Sequence, residues 1–67
     1  MNISQANKQY ANINLSLEEL IIINNAINEV CHGFEVSEFD TRIGASLESA
    51  QALLEQIGFA IKQVEQE

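Results

Sequence analysis

Two amphipathic segments, each opened by a serine, constrain the fold more than any other feature of the chain. Ser16 stands three residues before Glu19. This spacing predicts a capping box, in which the serine oxygen accepts from the backbone N–H of the glutamate and the carboxylate accepts from that of the serine. Ser46 opens the second segment, and apolar residues recur in both at the three-and-four spacing of one helix face. The sequence therefore predicts long helices over residues 17–32 and 47–64.

The glycines and a third serine predict how the long helices end and connect. Ser37 begins another cap-like run, and Gly44 suits the left-handed conformation that ends a helix, so we expect a short helix over residues 38–43. Gly33 is expected to end the first long helix in the same way. Gly58 lies inside the last helix, where glycine costs about 1 kcal/mol relative to alanine, and predicts a bend or a close approach.

The first 14 residues carry conflicting signals. They are rich in Asn and Gln, and several apolar residues fall at helical spacing, whereas those around Ile13 alternate as in a strand. We interpret residues 1–14 as a partly ordered N-terminal arm that docks through Tyr10 and Ile13, and residues 15–67 as one helical domain. The predicted fold class is all-α.

The small size of the chain favours self-association. A core built from 67 residues supplies only about 3–5 kcal/mol, so proteins of this size often add a disulfide, a metal or a second subunit. The single cysteine, Cys31, excludes an internal disulfide, and with His32 it provides too few ligands for a metal. We therefore expect a helical-bundle homodimer.

Some residues depart from a plain core pattern on the two long helices. Large apolar side chains fall opposite the apolar faces, and amides fall within or beside one of them. The candidate interface is Ile22, Asn24, Asn28, Ala52 and Phe59. A buried amide needs hydrogen-bond partners or costs about 1–3 kcal/mol. Asn24 is accordingly expected to bond the backbone of the arm or of residues 34–37, to fix the register of a self-pairing interface, or to contact a ligand.

The charge distribution indicates which partners the surface can bind. Ten acidic residues against three basic ones give a net charge of −7, and no Lys or Arg occurs between Lys8 and Arg42. This region carries a predicted acidic rim, formed by Glu18, Glu29, Glu35 and Glu38. Phosphate backbones and anionic lipids are poor partners for such a surface, whereas a basic protein is a suitable one.

The apolar segments and the lone cysteine predict the compartment. The longest apolar run covers residues 20–23, far short of the roughly 20 residues that span a bilayer. The first residues lack the basic start and hydrophobic stretch of a secretory signal. We therefore expect no membrane partner and a cytoplasmic protein.

Catalytic signatures are weak throughout the sequence. Cys31 and His32 are adjacent, so on a helix their side chains point about 100° apart, and Cys31 belongs to the apolar stripe. The acidic pairs are explained by helix caps, and the glycines are too dispersed for a phosphate-binding loop. We expect no enzyme, no catalytic residue, no cofactor and no metal ligand.

The leading functional interpretation is a small protein-binding or regulatory module that self-associates. One alternative is a nucleic-acid-binding helix-turn-helix over residues 37–57, although its second helix would begin Leu47-Glu48-Ser49, without the basic residues that meet DNA. Nucleic acid is therefore a disfavoured partner. The other alternative is a small-ligand site near Asn24.

Several runs resemble a group of short bacterial helical proteins. The first is Leu15-Ser16-Leu17-Glu18-Glu19-Leu20, the second ends Asn28-Glu29-Val30-Cys31-His32-Gly33, and the third is Glu38-Phe39-Asp40-Thr41-Arg42-Ile43-Gly44. The group shares a leucine-rich opening, an N-E-V-C-x-G helix end and an acid-Phe-x-Thr-Arg-aliphatic-Gly element. The resemblance covers about residues 15–57 and implies a compact helical unit, without implying an activity.

Overall fold

A computed structural model describes residues 1–33 and 35–66. It contains a β-hairpin, two long helices and a short helix in their connection. In chain order the elements are β1 (Asn2–Ala6), β2 (Ala11–Asn14), α1 (Leu17–Asn28), a π-helical turn (Glu29–Gly33), α2 (Phe39–Ile43) and α3 (Leu47–Glu65). The all-α prediction is therefore wrong, because the predicted N-terminal arm forms a two-stranded antiparallel sheet.

The hairpin forms because its turn is fixed by an asparagine side chain. Asn7 Oδ1 accepts hydrogen bonds from the backbone N–H groups of Gln9 and Tyr10, at 2.7 and 2.9 Å. Such side-chain turns compete with helix formation, which is why asparagine favours turns. Ile3 then pairs with Ile13, and a bulge follows Ile3 in β1. This turn outweighs the helical spacing of the same residues.

The capping box predicted at the start of α1 is confirmed, whereas the predicted helix end is wrong. Ser16 Oγ accepts from Glu19 N–H at 3.1 Å, and the Glu19 carboxylate accepts from Ser16 N–H at 2.9 Å. The α-helix ends at Asn28 and continues as the π-helical turn. Gly33 ends that turn without the positive φ expected of it, and the Glu29 carboxylate lies against it.

The two remaining helices agree with the sequence prediction except in one cap. Glu38, rather than Ser37, is the N-cap of α2, with φ 53° and no side-chain cap hydrogen bond. Gly44 ends α2 in the predicted left-handed conformation, with φ 86°. Ser46 caps α3 as predicted, since its Oγ accepts from the N–H of Ser49 at 3.1 Å.

The core lies between α1 and α3. Within the described residues only Leu20, 5% exposed, and Ala50, 8% exposed, are buried. Every residue of β1 and β2 is exposed. In the part of the chain that the structure describes, no helix is both long and apolar enough to cross a membrane. The fold is thus a thin helix pair with a hairpin attached, and it leaves much apolar surface uncovered.

Candidate interaction surfaces

The structure places Ile22 and Phe59 on opposite sides of the helix pair. Ile22 follows the buried Leu20 by two residues, about 200° around α1, and Phe59 follows the buried Ala50 by nine residues, about 180° around α3. Each therefore points away from the contact between the helices. They are 59% and 66% exposed, respectively. The predicted interface residues consequently belong to two separate surfaces.

The first surface, here called the α1 face, is acidic with an apolar centre. Ile22 lies one turn after Glu18 and about two turns before Glu29, and all three side chains are exposed. No Lys or Arg occurs between Lys8 and Arg42, which includes all of α1. The α1 face therefore combines an exposed aliphatic side chain with negative charge alone.

The second surface, here called the α3 face, is charge-balanced. Glu55, Gly58, Phe59 and Lys62 line a shallow groove of about 300 Å³. The side chains of Glu55 and Lys62 are exposed, and neither forms an ion pair within residues 1–33 and 35–66. Ala52 is exposed two turns before Phe59 on the same side of the helix. The α3 face thus presents an aromatic ring between one acid and one base.

The predicted acidic rim is divided between two elements. Glu18 and Glu29 belong to the α1 face, whereas Glu35 and Glu38 are exposed in the connection before α2. Glu35 shares a second groove, of about 410 Å³, with Arg42. Negative charge is therefore partly offset by a base in the connection, but not on the α1 face.

None of the predicted amides or the Cys-His pair is fully buried. The Asn24 side chain is half-buried, and within the described residues it forms no hydrogen bond, so the expected bond to the arm is absent there. Residue 34, at the start of the loop predicted as its other partner, lies outside the described residues. Asn28 and His32 are exposed, and Cys31 is half-buried.

Sequence reasoning missed one groove, here called the hairpin groove. It has a volume of about 490 Å³ and lies between the end of β2, the start of α1 and the last half of α3. Its lining is Ile13, Asn14, Leu15, Leu20, Ile57, Ala60, Gln63 and Val64. The alternation of Ile13 and Leu15 was the available signal, but only the hairpin places these residues beside α3.

An ion pair connects the residue before β1 to the first turn of α1. The Met1 ammonium donates to the Glu19 carboxylate at 2.5 Å. This contact, followed by the hydrogen bond from the Ser16 backbone, holds the pKa of the Glu19 carboxyl below its usual value, because both favour the charged form. Glu19 thus has a structural role at the cap.

Comparison with known proteins gives no match to a protein-family model, to a curated protein or to a solved structure. Function therefore follows from the chemistry of the surfaces described above.

Proposed function

We propose that this chain is a small non-enzymatic protein-binding module that works as a homodimer and binds a basic protein segment. The observation that carries self-association is the exposed area. The chain exposes 5406 Å², whereas a folded monomeric protein of 7.5 kDa typically exposes about 4,200 Å². Two copies that covered this excess would bury about 2,400 Å² together, within the range of obligate homodimers.

The α1 face supports the choice of a basic partner. Glu18 and Glu29 flank the exposed Ile22, so a helix with lysines or arginines around one apolar stripe matches the face in both charge and hydrophobicity. A second copy of the chain is a poor occupant of this face, because acids would meet acids. Self-association and partner binding are therefore assigned to different surfaces.

Sedimentation equilibrium of the intact chain tests self-association. We expect a mass of twice the 7.5 kDa of one chain at micromolar concentrations, because pairing removes apolar surface from water. A mass of 7.5 kDa at high micromolar concentration would overturn the proposed homodimer.

Titration with a synthetic amphipathic helix of leucine and lysine tests the basic partner. We expect binding that weakens as salt is added, since exposed charges are screened, with backbone amide NMR shifts concentrated around Ile22. The double variant Glu18→Gln/Glu29→Gln should bind the peptide several-fold more weakly than the wild type.

The matched control carries the same two charge changes on α3, as Glu48→Gln/Glu65→Gln. Glu48 occupies the first turn of α3 as Glu18 occupies that of α1, so both variants change a helix start alike. If both double variants weakened peptide binding equally, the peptide would respond to net charge alone. The α1 face would then not be the binding site for the basic segment.

A further inference from the structure

We infer that the homodimer forms by antiparallel packing of α3 against α3 of a second copy, with the two-fold axis between Gly58 and Phe59. In this arrangement each Phe59 ring enters the groove beside the partner's Gly58, and each Glu55 faces the partner's Lys62. This inference rests on the homodimer of the proposed function, and it specifies that the two copies meet through the α3 face.

The charges of the α3 face are complementary under this symmetry. A two-fold axis pairs the same surface of both copies, so in an antiparallel helix pair residues equally distant from the axis lie opposite each other. Glu55 and Lys62 lie on either side of the axis, each about 5 Å from it along the helix. The axis therefore brings each acid to a base, and two such pairs form in one dimer.

The net charge of the chain favours the α3 face over the acidic α1 face as the surface of self-association. Each copy carries a charge of −7, so two copies repel one another wherever their acidic surfaces meet. Around Phe59 one acid and one base balance, and neither forms an ion pair within the described residues. Complementary charges of this kind fix the register of a contact and exclude wrong partners.

Gly58 has no function in the described fold of a single copy. Glycine inside a helix is less stable than alanine, yet Gly58 has no positive φ. Beyond its own helix backbone, no atom of the described residues lies within 4 Å of the position of an added Cβ. A glycine also permits close approach by another chain. The groove beside it, about 300 Å³, exceeds the roughly 150 Å³ that holds a benzene ring in a protein interior. The groove beside Gly58 therefore has room for the Phe59 ring of a second copy.

Two charge-reversal variants test the arrangement. In Glu55→Lys and in Lys62→Glu, each dimer would contain two like-charge pairs, so we expect each variant alone to sediment as a monomer where the wild type is dimeric. An equimolar mixture should form a 1:1 heterodimer, because the introduced lysine then faces the introduced glutamate and a native Glu55–Lys62 pair is retained. One variant is uniformly labelled with nitrogen-15, because a Glu–Lys exchange alone changes the mass too little to separate the dimers. Native mass spectrometry then identifies the heterodimer by its mass, and circular dichroism verifies that both variants are folded.

Glu48→Lys is the matched control. It makes the same charge reversal at an exposed position of α3, but its symmetry-related position lies beyond the end of α3, so its dimer should match that of the wild type.

Three outcomes would overturn the inference. If the wild type is dimeric and both reversals remain dimeric, the α3 register is refuted and self-association survives through another surface. If both reversals are monomeric but the mixture does not associate, the register is refuted in the same way. If the wild type is a monomer, the inference and the proposed homodimer fail together.

Discussion

Replacing Leu20 by alanine should destabilise the fold by about 2–5 kcal/mol, because the change removes a buried side chain and leaves a cavity between the long helices. Leu20 is 5% exposed and is the only large side chain buried within the described residues. A loss of this size is comparable to the whole stability that a small core provides. We expect a largely unfolded chain at 25 °C, measured by urea unfolding followed by circular dichroism at a fixed protein concentration.

Ile22→Ala is the control for this loss. It removes an aliphatic side chain of similar size two residues further along α1, at a position that is 59% exposed. Surface substitutions of this kind usually change stability by less than about 0.5 kcal/mol. Comparable destabilisation at both positions would contradict the packing of α1 through the face that carries Leu20.

The parts of the fold that sequence predicted are those fixed by residues close together in the chain. The caps at Ser16 and Ser46 need only a side chain and a backbone N–H three residues away. The left-handed Gly44 needs only its own backbone. Local chemistry decides such features, so the starts of both long helices follow from sequence.

Competition between local signals explains the wrong predictions. The apolar spacing of the first residues favours a helix, and a single asparagine turn, at Asn7, overrides it. Ser37 has the side chain that suits an N-cap, yet Glu38 takes this position in α2 without a side-chain cap. The π-helical turn after Asn28 widens the helix end that Gly33 was expected to close. Neither composition nor periodicity tells which of the two competing structures forms in each of these three segments.

The candidate surfaces were predicted residue by residue but not as surfaces. Helical periodicity alone places Ile22 and Phe59 opposite their apolar stripes, and both are exposed. Whether the two residues share a patch depends on how α1 and α3 face each other, which involves contacts between distant parts of the chain. The hairpin groove was missed for the same reason.

Replacing Phe59 by alanine should abolish self-association while leaving the fold of one chain almost unchanged. Aromatic residues at the centre of an interface often contribute about 2 kcal/mol or more, and a two-fold contact loses the ring twice. A total of about 4 kcal/mol corresponds to a roughly thousandfold rise in Kd. The ring is 66% exposed in one chain, so its loss removes little buried surface there. Sedimentation equilibrium measures the Kd, and circular dichroism measures the fold.

Gly58→Ala changes the other side of the same contact, the surface against which the partner's Phe59 packs. We expect it to stabilise the single chain and to weaken the dimer. Within the described residues of one chain the added methyl meets no atom within 4 Å beyond its own helix backbone, so it should stabilise α3 by about 1 kcal/mol, as alanine does relative to glycine inside a helix. In the dimer the methyl would occupy space taken by the partner's Phe59, and overpacking of about 1–3 kcal/mol would raise the Kd by roughly 5- to 150-fold. Ile22→Ala, on the other outer face, should leave the Kd unchanged. If Gly58→Ala stabilised the chain and left the Kd of association unchanged, the partner's Phe59 ring would not pack beside Gly58. A general loss of folding cannot explain the expected result, because the variant is expected to be more stable as a single chain while it associates more weakly.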